Sequence, residues 1–194
     1  MTKPPQLRPI PHAVTGMRQT TRPLPDRLRP DLRILFVGIN PGIRSAAVGH
    51  HFAGHSNRFW KLIHESGLIP LPLTYREDRR LPEWGLGLTN IISRTSAGID
   101  VLDSAEYRDG RAALERKIAR YRPRIVALLG VTIFRVLFPQ RTKPARPPAL
   151  GLSNVQLAGV PVFLLPNPSG RNAHYSYQTM LAAFRALRQE AGSQ

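Results

Sequence analysis

Apolar residues along this chain fall into short unbroken runs, with stretches of helical spacing between them. Arg33 to Ile39 is a compact run with β-branched members, and Gly38 and Asn40-Pro41-Gly42 close it with turn formers. A run that is apolar at consecutive rather than alternate positions predicts a parallel strand buried on both faces. Gly85 to Ile92 predicts a second strand and Arg124 to Leu129 a third. Val155 to Leu157 and Val162 to Leu165 flank Gly159-Val160-Pro161, which predicts a short extension followed by a fourth strand. Ser56 is placed to cap a helix running to about Ser66. Ser104 is placed to cap a long amphipathic helix to about Arg122, in which Leu114, Ile118 and Tyr121 repeat at helical spacing before Pro123 stops it. Val131 to Phe138 predicts a short helix, and about Tyr175 to Gln189 a last one with Met180, Phe184 and Leu187 on one face. Leu68 to Trp84 reads as an irregular connection, and Pro139 to Pro148 as a basic, Pro-rich loop.

Strands that alternate with helices point to an α/β domain with a mainly parallel sheet covered on both faces. In such sheets the site lies beyond the carboxyl ends of the strands. Two of those ends carry unusual chemistry: Gly38-Ile39-Asn40-Pro41-Gly42 after the first strand and Pro166-Asn167-Pro168-Ser169-Gly170 after the last. With the first and last strands near the middle of the sheet, these loops face each other.

Length adds a bound: 194 residues suit one such domain and are short for two. Met1 to Pro30 has neither helical nor strand period and is rich in Pro and Arg, so it reads as a basic arm before a single domain from residue 31 to 194. No apolar run approaches the roughly 20 residues of a membrane helix, and no signal-peptide core is seen, so a soluble, cytoplasmic protein without membrane partners is expected. Cysteine is absent, which removes thiolate nucleophiles, disulfides and the usual ligands of iron–sulfur clusters. Charge changes the picture most. Lys and Arg number 28 against 12 Asp and Glu, a net +16, and such an excess favours a polyanionic partner.

The turn at Asn40 then needs a reason, because an amide is neither acid nor base in water. A phosphate cradle does not explain it: the stretch lacks G-x-G-x-x-G, and no Lys follows as in a P-loop. His50, His51 and His55 do not have a strong metal-ligand spacing, and no partnering carboxylate accompanies them.

The set "GINPG", "HHF", "NRFW", "GLTN" and "LPNPSG" resembles the mismatch-specific uracil/thymine DNA glycosylases of the uracil-DNA glycosylase superfamily, over about Asp31 to Glu190. The resemblance implies a three-layer α/β/α sandwich around a short central parallel sheet. It implies a monomeric, monofunctional enzyme, without metal or cofactor, that hydrolyses the N-glycosidic bond of uracil, and in some members thymine, opposite guanine. Its partner is then double-stranded DNA with a mismatched or damaged base, with single-stranded DNA a further candidate, and its place is with the nucleoid.

Carried over residue by residue, the resemblance makes Asn40 the holder of the attacking water. Phe52 stacks on the extruded base, and backbone N–H groups near Ile39 and Phe52 stabilise the departing anion. His51 and Ser45 bear on the choice of base, Ser45 favouring uracil over thymine, and Asn90 stands where some members carry Lys. Asn167, Pro168, Ser169, Gly170 and Arg171 form the loop that enters the duplex, with Arg171 as the wedge. Ala173 departs from the Arg expected there. Asp100 and Asp103 are the carboxylates that would serve as an alternative base. Two other readings stay open at this stage: a catalytically impaired DNA-binding protein of the same fold, and a glycosylase for another damaged base such as hypoxanthine or an etheno adduct.

Overall fold

The computed structural model describes residues 23–95, 103–139 and 148–192. Five strands form one sheet: β1 (Ile34–Gly38), β2 (Leu86–Asn90), β3 (Ile125–Leu129), β4 (Gly151–Leu157) and β5 (Val160–Leu165). Their order is β2-β1-β3-β5-β4. The first four neighbours run parallel, and β4 pairs antiparallel on the edge. The central strand β3 is therefore flanked by β1 and β5, whose C-terminal turns lie on the same side of the sheet.

The consecutive apolar runs do what their pattern predicts. Every residue of β1 and β3 is buried, and alternate side chains go to opposite faces. Ile34 and Phe36 join one core with α2 (Phe59–Glu65) and α5 (Tyr177–Gly192), while Leu35 and Val37 join the other with α3 (Ser104–Tyr121) and α4 (Val131–Leu137). The first core is knitted by aromatic contacts, with Phe36 edge-on to Phe59 at 5.3 Å and stacked on Phe184 at 6.2 Å between ring centres. Among the described residues no helix is long and apolar enough to cross a membrane.

The structure departs from the sequence reading in several places, each with a local cause. The short extension at Val155–Leu157 is a full edge strand, Gly151–Leu157, whose side chains mostly alternate between half-buried and exposed. It turns into β5 through Ala158 and Gly159, both with positive φ (49° and 79°), the geometry of a tight hairpin. A helix that the sequence reading missed, α1 (Ile43–Val48), follows the Asn40 turn directly. Ser56 does not cap α2; the helix starts at Phe59, and Asn57 Oδ1 accepts its N–H at 2.9 Å. The cap of α3 is Asp103, one residue before Ser104, in a reciprocal capping box with Glu106. Leu68 to Trp84 is not irregular throughout, since Tyr75–Trp84 forms a kinked 3-10 helix opened by a Thr74–Glu77 capping box. The last helix starts two residues later than expected and runs to Gly192. Asp100 and most of the Pro139 to Pro148 loop lie outside the described residues.

The inner end of the Pro/Arg-rich arm also belongs to the packed domain. Leu24 and Arg27 are buried. Arg27 exchanges two backbone hydrogen bonds with Leu88, each 2.9 Å, as an isolated antiparallel bridge on β2. The arm boundary at Pro30 is thus several residues too late: a single leucine and a backbone bridge anchor the chain where Pro and Arg hide any period.

Candidate active site

The turn after β1 is locked before it reaches Asn40. Ile91 N–H donates to Gly38 O at 2.9 Å and Ile92 N–H to Ile39 O at 2.8 Å, so the end of β1 and the chain beyond β2 leave the sheet together. Gly38 has no room for a side chain: a Cβ there would meet Asn90 Oδ1 at 2.5 Å. The glycine lets the Asn90 amide lie across the strand end. Pro41 is buried, and Gly42 opens α1 in extended geometry. The Asn40 side chain stands half-exposed above this turn, its Nδ2 in a long 3.4 Å contact with Pro41 O.

Helix α1 ends at left-handed Gly49 (φ 73°) and delivers the loop Gly49 to Gly54. Side chains tie this loop's backbone down. Ser45 Oγ accepts the Ala53 N–H at 3.1 Å, and Arg44 Nε donates to Ala53 O at 2.7 Å. Asp78 Oδ2 accepts the His51 N–H at 3.0 Å, and Trp60 Nε1 donates to His51 O at 3.2 Å. Held this way, Phe52 keeps a left-handed backbone (φ 53°) that side chains other than glycine rarely adopt. Its ring stacks on Phe59, 4.2 Å between centres and 27° between planes, and is only half-buried.

His51 itself is 1% exposed. Burial pushes its pKa below the ordinary 6.5, outweighing the opposite pull of the Pro25 carbonyl and Asp78. The ring is therefore neutral, and its Nε2, 3.0 Å from Pro25 O, carries the proton it donates there. The sign for stability follows. As pH falls through the unfolded value near 6.5, the unfolded chain takes up a proton that folded His51 refuses, so the folded state loses stability. Thermal unfolding should thus drop to lower temperature between pH 7.5 and 5.5, and His51→Asn should flatten that slope; equal slopes in differential scanning calorimetry would remove His51 as the cause.

The loop after β5 builds its own shape. Asn167 Oδ1 accepts the Ser169 N–H at 2.9 Å, Asn172 Nδ2 donates to Asn167 O at 2.9 Å, and the Arg171 N–H reaches Ser169 Oγ at 3.3 Å. Pro168 O accepts from Arg58 N–H at 2.9 Å, which docks the loop on the entry to α2. Gly170 packs directly against Ser56, where any Cβ would collide with the Ser56 side chain.

These pieces enclose one cleft of about 650 Å³ at the carboxyl ends of the strands. Ile39, Asn40, Ser45, His51, Phe52 and Asn90 line one part of it, and Asn167, Ser169, Gly170 and Arg171 another. Pro168 alone of the sequence-selected loop does not line it. Asp103 does not either, being engaged as the exposed cap of α3. Sequence reasoning missed Leu24, Ile43, Arg44 and Asn57, which also line the cleft. The spacing Ile43–Ala47, four residues apart straight after a Pro-Gly turn, was the available signal for the first turn of a helix. Among the described residues, no carboxylate and no lysine lines the cleft; its formal charges are those of Arg44 and Arg171. Nor do the described residues contain a group of three or more His, Cys, Asp or Glu placed to hold a metal ion.

Comparison with known proteins agrees with this architecture. A solved solution structure of a candidate uracil DNA glycosylase from Methanosarcina acetivorans superposes with a TM-score of 0.54 at 19% identity, over 87% of this chain and 98% of that one, and so shares the fold. The family model of the uracil DNA glycosylase superfamily matches residues 25–190, which takes in every element of the cleft except Leu24. With nearly all of its domain under that match, the chain belongs to the uracil DNA glycosylase superfamily, whose members act on DNA.

Proposed function

We propose that the protein is a monofunctional glycosylase that removes uracil from DNA, with a G·U mismatch as its preferred context. The observation that carries this reading is the cleft: the Asn40 amide and the Phe52 ring open on one space that, among the described residues, neither a carboxylate nor a lysine lines. A hydrolysis that relied on a strong general base would want a carboxylate there. A lyase reaction would want an amine. An amide suits a reaction in which the C1′–N1 bond largely breaks first.

In that reaction the base leaves with the bonding electron pair, and the sugar becomes an oxocarbenium ion. Water needs to be held on the open face of C1′ more than it needs to be deprotonated, and Asn40 does this by accepting and donating hydrogen bonds. The water oxygen bonds to C1′, and its proton passes to solvent or to the departing base. The backbone N–H groups of Ile39 and Phe52 stabilise the anionic base. Phe52 presents its ring to the base and is backed by Phe59. The Asn90 amide, held over Gly38, reads the base edge with a donor and an acceptor. Ser45, fixed by its bond from Ala53 and lining the cleft, takes the space that a thymine methyl would need. The Asn167–Arg171 loop enters the duplex, and Arg171 fills the hole left by the extruded nucleotide.

Single-turnover excision on labelled duplexes tests this, with alkali used to reveal abasic sites. U·G is expected to be cut fastest, U·A and single-stranded uracil more slowly, and T·G slowest. Excision of hypoxanthine opposite thymine at a higher rate than U·G would move the assignment to a deaminated purine. Binding of every duplex with no excision would make the chain a DNA-binding protein of this fold.

A further inference from the structure

We propose that Leu24–Arg27, at the inner end of the basic arm, is a strap that positions both walls of the cleft, with Arg27 and Asp26 as its positioning residues. The proposal rests on the reading above, in which the cleft receives an extruded base. The two walls belong to different parts of the chain. One is the Gly49 to Gly54 loop with His51 and Phe52, and the other is the end of β2 with Asn90.

Four consecutive residues reach both walls. Leu24 is buried and lines the cleft itself. Pro25 O takes the His51 Nε2 proton at 3.0 Å, which fixes the ring and its tautomer. Asp26 Oδ1 accepts from Thr89 Oγ1 at 2.7 Å, and its Oδ2 pairs with Lys117 Nζ at 2.7 Å. Lys117 Nζ in turn donates to Thr89 Oγ1 at 2.8 Å, so Asp26, Lys117 and Thr89 close a triangle around a residue that is 1% exposed and adjoins Asn90. Arg27 Nη2 donates to Gly49 O at 3.0 Å at the root of the Phe52 loop.

Arg27 also controls the loop through Asp78, which is fully buried. Its Nε lies 3.0 Å from Asp78 Oδ1, an ion pair between two buried groups. Asp78 spends its other oxygen on the His51 N–H, and His50 Nδ1 lies 3.0 Å from Oδ1. Burial pushes the Asp78 carboxyl up, but Arg27, the His51 N–H and His50 together hold it below the ordinary value. The carboxylate is therefore charged when it holds the loop. Without Arg27 it would be a buried anion short of its cation, and the loop it holds would move or the carboxyl would take a proton.

The strap explains why a strained Phe52 backbone persists, since strain survives only where the surroundings over-determine it. It also makes a prediction that a generic basic arm does not. Arg27 is buried and bonded inward, so its loss should act on geometry and not on phosphate contacts.

Full-length wild type, Arg27→Met, Arg27→Lys and Asp26→Asn decide this at a temperature where circular dichroism shows each folded. Two readouts are taken: hydrogen exchange of peptides covering 49–53 and 86–90, and single-turnover excision of U·G set against the Kd for an undamaged duplex. Arg27→Met should speed exchange in 49–53 and slow excision by roughly tenfold or more, with duplex affinity changed by less than about twofold because no phosphate contact is lost. Arg27→Lys, which keeps the charge but not the fork, should fall between. Asp26→Asn should speed exchange in 86–90 and slow excision less. Wild-type exchange in both regions, wild-type excision despite faster exchange, or a loss carried wholly by duplex affinity would each overturn the strap. Should Arg27→Met fail to fold, Asp26→Asn decides, since its side chain still accepts from Thr89. A wild type that excises nothing would sink the proposed function, and the exchange pattern would still decide whether the strap holds the walls.

Discussion

Asn40→Ala should slow single-turnover excision of U·G by on the order of 10²–10³-fold, the usual cost of losing one preorganised polar group at a reacting centre. Stability should change little, within about 0.5 kcal/mol, because Asn40 is half-exposed beyond the end of β1 and outside both cores. The two measurements separate the role from the fold. A large rate loss at an unchanged unfolding temperature places the amide in the reaction; a parallel loss of both would make it a turn residue. Asn40→Asp sharpens the test. A carboxylate of the same shape can still hold water, but it sets a negative charge against a base that leaves as an anion. It should therefore recover only part of the rate near neutral pH. If Asn40→Ala instead kept a rate within tenfold of wild type, water would have to be held by another group. The cleft lacks a carboxylate among its described lining residues, so Asn90 or the backbone around Ile39 would be the next to examine.

The sheet could be read from sequence because its strands are buried on both faces. Ile34 to Gly38 and Ile125 to Leu129 are wholly buried, and such strands must be apolar at every position. The edge strand β4 escaped because only Leu157 of its seven residues is buried, leaving three apolar letters where a strand of seven exists. Helix α1 escaped for a different reason: six residues with a single buried side chain, Ser45, offer only the Ile43–Ala47 pair at helical spacing, too little to mark an apolar stripe. The cleft was legible where glycine, proline and asparagine mark turns. Of the candidate site residues selected from sequence, Pro168 and Asp103 do not line it, Asp100 lies outside the described residues, and the rest do. What could not be read were contacts made across the chain. Asp78, deep behind the Phe52 loop, looks in sequence like one more charge in a charged connection. Asp26 and Arg27 look like part of an arm, and only the fold brings them to Thr89 and Gly49.

Phe52 offers a test in which activity and stability should part company. Its ring is expected to stack on the extruded base, a contact worth about 1–3 kcal/mol per base, so Phe52→Ala should slow excision roughly 10- to 100-fold by that measure. Phe52→Gly removes the same ring and should slow it equally. Their stabilities should differ. Both lose the stacking on Phe59, but alanine must still hold a Cβ at a φ of 53°, whereas glycine adopts that conformation without steric cost. Phe52→Gly should therefore be the more stable of the two by about 1 kcal/mol, although glycine's larger entropy in the unfolded chain offsets part of the gain. At most ordinary positions the order is the reverse, so the sign alone is informative. Calorimetry on both variants beside single-turnover assays reads it directly. If alanine proved more stable, the loop would relax out of the left-handed region once the ring was gone. The ring, and not the ties from Asp78, Ser45 and Arg44, would then be what imposes the strained backbone.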